Sequence, residues 1–339
     1  MEHGQADPQS LKSYLASAWL PPIDLRPNLR KVDEMGYVRD WPRFGLESPG
    51  PKEPNKLKEP TLMKPPGTRK LKVVDEASID RLLEVTQRYF AELPDAPVEW
   101  GNDSLNLPAT GIIKLDQFSR EDLTVDSRNR FAEVVMENVL YTVEEAMRMT
   151  ARDEEDQDSA KFEKISYKVP VEAKQRKWDL FALRRPATEA GQPQWTAMVV
   201  LCISPGYFGR GDFLEFVRRR TFPDGRLDRE YDAGADHTGS TWTPAETLWA
   251  VLQDACTTCG CRYFAVTTWN YWTFGTFSPR QLIAKLVDPI PRSGLRNRAG
   301  LTRPDMAELS FRPSLVQMIY TWCQIARGVG PPWPLPYEG

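Results

Sequence analysis

Three thiols lie within the six residues Cys256-Thr257-Thr258-Cys259-Gly260-Cys261. Thiolates this closely spaced are able to share a tetrahedral zinc ion or to exchange electrons. A second half for such a site is thin, because Cys202, Cys323 and the isolated His237 are the further donors. Cys256 also falls near the end of a predicted helix that Gly260 stops. The favoured reading is therefore small packed side chains at a helix-to-strand junction, with zinc at Cys256, Cys259 and Cys261 as the alternative. Arg218, Arg219 and Arg220 follow Phe213, Leu214, Phe216 and Val217, so this basic run closes a short helix whose C-terminal end suits positive charge. Three guanidinium groups can meet the phosphates of a nucleic acid, although so short a run more often faces water or pairs with acids such as Glu215. Gly206, Gly209 and Gly211 carry Tyr207, Phe208 and Arg210 between them and match no phosphate-loop pattern. They read as a turn, and Arg210-Gly211-Asp212 carries no role of its own. The aromatic stretch from Trp269 to Phe274 has the rings to stack on bases or to anchor a partner, but core filling is the favoured reading.

Composition narrows the classes. With 339 residues, 41% hydrophobic and 27% charged, the chain has the balance of a folded protein with a sizeable core. A formal net charge of -3 gives no overall attraction to a polyanion, so nucleic-acid binding would rest on a local basic patch. Five cysteines make an odd count that fits reduced thiols in cytoplasm or nucleus better than a disulfide framework. Residues 1–10 are polar and lack the order of a signal peptide, and the longest apolar run, Ala197 to Ile203, falls far short of a bilayer span. No membrane association is expected.

The elements that must position these residues are legible from periodicity. Residues 1–70 read as a Pro-rich N-terminal arm with one short amphipathic helix at Leu11 to Leu20, and Trp19, Trp41 and Phe44 as its anchors. A core domain is expected over 71–288, and residues 289–339 supply a C-terminal helix and a Pro-rich tail that pack on it. Apolar spacing predicts a helix from Ile79 to Leu93. A longer one, capped by Asp126, carries Phe131, Val134, Val135, Val139, Ala146 and Met149 on one face. The acidic run Asp153 to Asp158 reads as a solvated connection. The period then changes to that of strands at Ile165 to Val171, Trp178 to Leu183 and Trp195 to Ile203, a meander whose continuous apolar third member implies burial on both faces. Thr243-Pro244-Ala245-Glu246 is a capping box that opens a helix ending at Gly260. Strands are predicted at Tyr263 to Trp269 and Tyr271 to Phe277. Ser278-Pro279-Arg280-Gln281 repeats the capping pattern and predicts another helix, and Pro313 to Ala326 predicts the last one. The fold class is α/β (α+β), a mixed central sheet flanked by helices with extended Pro-rich arms.

The order helix, three strands, helix, two strands, with Lys177-Trp178-Asp179-Leu180 and Val199-Val200-Leu201-Cys202-Ile203-Ser204-Pro205, resembles the core of the PD-(D/E)XK nuclease-like superfamily. It is most similar to a divergent form found in uncharacterised fungal proteins, and the resemblance spans roughly Ser127 to Ser278. It implies a restriction-endonuclease-like sheet. It also implies an Asp on the second strand, and a Glu and a Lys two apart on the third, that together hold a divalent cation and activate water. Asp179 matches the first position. Cys202 stands where the Glu belongs and Ser204 where the Lys belongs, and a neutral thiol is a poor magnesium ligand. The resemblance thus implies a catalytically degenerate, pseudo-nuclease core used as an interaction or scaffold module with a protein partner and no cofactor. One alternative is a magnesium-dependent nuclease in which Lys177, on the same strand face as Asp179, and Glu133 or Glu137 from the long helix replace the missing groups. Another is a zinc-stabilised nucleic-acid binder using the cysteines and Arg218, Arg219 and Arg220.

Overall fold

A computed structural model describes residues 9–25, 69–98, 105–109, 124–125, 128–151, 157, 160–165, 178–184, 196–206, 208–222, 227, 243–293 and 312–338. The elements follow in chain order. The first are β1 (Gln9–Ser10), α1 (Leu11–Ser17), β2 (Asp24–Leu25), β3 (Val73–Ala77), α2 (Ile79–Glu92), β4 (Pro97–Val98) and β5 (Thr124–Val125). Next come α3 (Arg128–Val134), a π-helical segment (Val135–Leu140), α4 (Tyr141–Met149), β6 (Phe162–Lys164), β7 (Trp178–Arg184), β8 (Thr196–Ile203) and α5 (Arg210–Arg218). The chain closes with α6 (Pro244–Cys259), β9 (Tyr263–Thr267), β10 (Tyr271–Phe277), β11 (Ile283–Val287), β12 (Ile290–Pro291) and α7 (Leu315–Arg327).

Seven strands build one mixed sheet in the order β3-β11-β10-β9-β8-β7-β6, and β12 pairs with β10 as its eighth member. β6, β7 and β8 form the antiparallel meander expected from their period. β8 and β9 are parallel, a pairing that needs a long crossover, and α5 and α6 lie within it. β9, β10 and β11 continue antiparallel, and β3 joins β11 in parallel.

Helices cover both faces. Odd and even residues of a strand point to opposite sides. On β8, Met198, Val200 and Cys202 join α1, α2, α3, α4 and α7 in one core, while Val199, Leu201 and Ile203 join α5 and α6 in the other. A strand buried on both sides needs the continuous apolar run that this sequence has. α6 opens as expected, with Thr243 Oγ1 accepting from Glu246 N and Glu246 Oε2 accepting from Thr243 N. It ends at Gly260, whose φ of 67° is the left-handed conformation that glycine takes without strain.

Several expectations need correction. The pattern at Ser278-Pro279-Arg280-Gln281 starts no helix. It makes the turn between β10 and β11, with Ile283 N donating to Ser278 Oγ and Gln281 N to Ser278 O. The residues beyond it alternate in burial and are claimed by β10 on one side and β3 on the other, so ladder pairing overrides a local helix signal. β3 itself has no counterpart among the elements expected from periodicity. The first strand of the meander sits at Phe162–Lys164, ahead of the expected Ile165 to Val171, of which residues 166–171 lie outside the described residues. The long second helix contains six residues of π-helix, whose irregular turn is held by side chains. Thr142 Oγ1 donates to Asn138 O, Asn138 Nδ2 to Val134 O and Asn106 Nδ2 to Glu137 O. The N-terminal helix α1 buries Leu11, Tyr14 and Leu15, while Trp19 is 38% exposed. Trp41, Phe44, Asp126 and the acidic run at 153–156 and 158 lie outside the described residues. Among the described residues no helix is long and apolar enough to cross a membrane.

Candidate functional site

Asp179 is the second residue of β7, and strand register fixes its surroundings. Asp179 stands opposite Cys202 on β8, Cys202 opposite Thr267 on β9, Thr267 opposite Trp272 on β10, and Trp272 opposite Ile290 on β12. Directly paired residues share a face, so these five make one row on the side covered by α7. Asp179 is 2% exposed, and the other four are buried.

Lys164 reaches this row from the edge of the sheet. It pairs with Phe181, two residues along β7 from Asp179 and on the same face, a diagonal position that a long side chain spans. Its Nζ lies 3.0 Å from Asp179 Oδ1, and the lysine side chain is 44% exposed. The carboxylate thus sits inside the sheet while the ammonium comes to it from the solvent side. The three-residue strand β6 is fixed by two further acids: Glu144 on α4 accepts from Phe162 N at 3.0 Å, and Glu163 pairs with Arg184 at the end of β7. Burial pushes the Glu144 carboxyl above its usual pKa, against the pull of the Phe162 hydrogen bond and of Lys161 and Arg148.

Cys202 and Ser204 follow on β8 and just beyond it. Burial pushes the Cys202 thiol well above its ordinary pKa; the Asp179 carboxylate adds to this and Lys164 opposes it. The group is a neutral thiol at physiological pH. Ser204 is fully buried, and its Oγ has no hydrogen-bond partner among the described residues, as is true of Trp272 Nε1 in the same row. The site therefore offers one carboxylate already paired with an ammonium, one protonated sulfur, and these two unpartnered polar atoms.

Glu133 and Glu137 turn to Arg130, at 3.5 and 3.2 Å, and are 55% and 49% exposed. Lys177 lies outside the described residues. Lys164 is the residue that sequence reasoning misses. Its signal is the alternation Phe162-Glu163-Lys164 ahead of Ile165, which places a charged side chain on the Asp179 face once the strand is started three residues earlier.

The other candidates have structural surroundings. Arg219 pairs with the buried Glu246 of the α6 capping box, and Arg220 pairs with Glu76 at 2.7 Å. Arg218 is the last residue of α5, where its charge suits the helix terminus. Gly209 precedes α5, and its N–H donates to Asp212 Oδ2 at 3.0 Å. An acid of the chain itself thus fills the helix start where a phosphate would bind. Trp269, Trp272 and Phe274 are fully buried, and Tyr271 packs on Phe213 with ring centroids 5.7 Å apart. Trp269 holds a φ of 66° in the β9–β10 turn, with its N–H on Thr267 Oγ1 and its indole Nε1 donating to Pro21 O at 2.8 Å. The aromatic stretch thereby anchors the N-terminal segment.

Cys256 and Cys261 are buried, Cys259 is half-buried, and Cys261 N donates to Cys256 O at 3.0 Å across the end of α6. Burial raises the Cys256 thiol pKa, and brings that of Cys259 to about 12. His237 lies outside the described residues. Among the described residues no three His, Cys, Asp or Glu side chains are grouped so as to hold a metal ion. Comparison of the chain with protein-family models, with curated proteins and with solved structures found no match.

Proposed function

We propose that the sheet is restriction-endonuclease-like, that its active position is catalytically degenerate, and that the protein works as an interaction or scaffold module for a protein partner. The observation that carries this reading is the Lys164–Asp179 pair beside the Cys202 thiol. A hard divalent cation asks for several oxygen donors with carboxylate charge among them. Here the first position is a buried acid with an ammonium at 3.0 Å, the second is a neutral sulfur, and the third is a hydroxyl. Seating a dication against Asp179 would either displace Lys164 or set like charges side by side at a site with little water to screen them. The donor set does not fit magnesium.

One observation favours a second reading, a metal-dependent nuclease with relocated groups: Lys164 does put an ammonium beside the acid, a pairing that phosphodiester cleavage uses. A cleavage assay separates the two. Plasmid DNA and a single-stranded RNA are incubated with purified protein and magnesium or manganese, beside the Asp179→Asn variant. The proposed function expects equal, background-level cleavage by both proteins. Divalent-dependent cutting that disappears in Asp179→Asn would establish the second reading.

A further inference from the structure

The last eight described residues, 331–338, run as an extended strap without helix or strand. Trp333 and Pro336 are buried while Pro332, Pro334 and Tyr337 are exposed, and an inward spacing of three is the period of a polyproline II segment. Trp333 inserts against Trp322 of α7, ring centroids 5.1 Å apart and planes at 78°, with the Arg81 guanidinium 5.7 Å from its ring centre. Five residues on, Glu338 enters the β10–β11 turn. Its Oε1 accepts from Ser278 Oγ, from Arg280 N at 2.9 Å and from Leu282 N at 3.3 Å, and its Oε2 accepts from Arg280 Nε at 2.7 Å.

That turn is built for an anion. Gln281 adopts a φ of 59°, a left-handed conformation that strains a side-chain-bearing residue. Helix α6 holds it there, with Thr257 Oγ1 donating to Gln281 Oε1 at 2.6 Å and Gln253 Nε2 to Gln281 O at 3.2 Å. The left-handed residue between them brings the N–H groups of Arg280 and Leu282 onto one oxygen, the geometry of a backbone anion nest. Aromatic-lined grooves take up proline-rich segments and backbone nests capture carboxylates, and here the two features lie five residues apart along one strap.

We propose that the Trp322 slot and the 278–282 turn form a docking groove for an extended proline-rich segment of a partner protein that carries a large aromatic residue and, five positions on, a glutamate. The chain's own tail occupies this groove in cis. The occupant's chemistry is read from the strap seated there, and the positive charge of Arg81 and Arg280 complements it. The tail holds the groove at high effective concentration, so a partner gains access as the tail lets go. This inference does not depend on the state of Asp179.

The probe is a fluorescein-labelled synthetic peptide with the sequence of residues 330–339, titrated by anisotropy into the full chain and into its Glu338→Gln variant, with the variant's thermal transition recorded to show that it is folded. Saturable binding is expected to be at least about tenfold tighter to the variant than to the wild type. The same peptide with glutamine in place of its glutamate is expected to bind the variant about tenfold more weakly, as replacing a charged acceptor by a neutral one implies. Equal binding of the two peptides, or no saturation with the variant, overturns the proposal. So does self-association of the variant at the concentrations used, since the groove would then take a second copy. Hydrogen exchange on the unmodified chain gives a reading that needs no variant. The Arg280 and Leu282 amides are expected to exchange much faster than the amides of β10, because tail release alone frees them; exchange only at the β10 rate would mean that the strap never detaches.

Discussion

Lys164 Nζ lies 3.0 Å from Asp179 Oδ1, and the two residues differ sharply in their exposure to water, 44% for the lysine side chain and 2% for the aspartate. Removing one partner of such a pair is more costly than removing both, because a buried carboxylate that loses its ammonium keeps the cost of desolvation and loses the attraction that offset it. Lys164→Met is expected to lower stability by about 1–3 kcal/mol, less than for a fully buried pair because the lysine is half in solvent. Asp179→Asn combined with Lys164→Met is expected to recover most of that loss. Urea melts of the two single variants and the double variant measure the coupling; additive losses would show that the pair does not act as a unit.

Glu144 ties α4 to the edge strand that carries Lys164, through its hydrogen bond from Phe162 N. Glu144→Gln keeps an acceptor for that N–H, whereas Glu144→Ala leaves it bare at a cost of about 1–3 kcal/mol. Since the folded-state pKa of Glu144 is raised, the folded protein retains this proton to higher pH than the unfolded chain does. Its contribution is therefore fully present below the usual glutamate value and is lost as pH rises through the raised one. Glu144→Gln is expected to remove this loss, so its stability relative to wild type should improve as pH is raised across that window. A relative stability that does not change with pH would contradict the assignment.

Gly275 in β10 marks a close approach between strands. A Cβ there would stand 2.3 Å from Phe264 Cζ and 2.7 Å from the Lys285 carbonyl oxygen. The ring has little room, because Phe264 packs between Trp249 and Phe277, and the carbonyl belongs to the neighbouring strand. Gly275→Ala is expected to destabilise by about 1–3 kcal/mol, and a thermal midpoint unchanged from wild type would show that the strand gives way freely.

The Glu338 carboxyl shows the opposite pH sense. Burial raises its pKa, but the hydrogen bonds from Ser278, Arg280 and Leu282 outweigh this and bring it down to about 2. A depressed carboxylate contributes stability that is present above the unfolded pKa near 4.5 and is lost as pH falls toward 2. Acidification through that window should release the tail. Measured as protection relative to an unstructured peptide at the same pH, the Arg280 and Leu282 amides should then lose protection in the wild type. In Glu338→Gln, which keeps an acceptor but no charge, their protection should be lower than in the wild type at neutral pH and unchanged across the window. Amides that stay protected at pH 2 would contradict this.

The sheet's central members are legible in the sequence because burial on both faces leaves the unbroken apolar run of Ala197 to Ile203, and α6 is legible because a capping box and a terminal glycine mark its ends. β3 and β11 are not. Their pairing is parallel and joins residues about 210 positions apart, so nothing local announces it, and the Ser278 pattern that mimics a helix start is put to use in a turn instead. Within the site, counting residues along the strands suffices to place Asp179, Cys202 and Ser204 on one face. It does not suffice for Lys164, since a shift of three residues in where β6 begins decides whether its ammonium belongs to the site or to a connecting loop.

Manganese binding tests the central claim most directly. Isothermal titration of purified protein with manganese chloride, beside Asp179→Asn, is expected to show no saturable site tighter than about 1 mM in either protein, because the acid is matched to Lys164 and its neighbours are a thiol and a hydroxyl. A stoichiometric manganese site in the wild type that vanishes in Asp179→Asn would contradict that account.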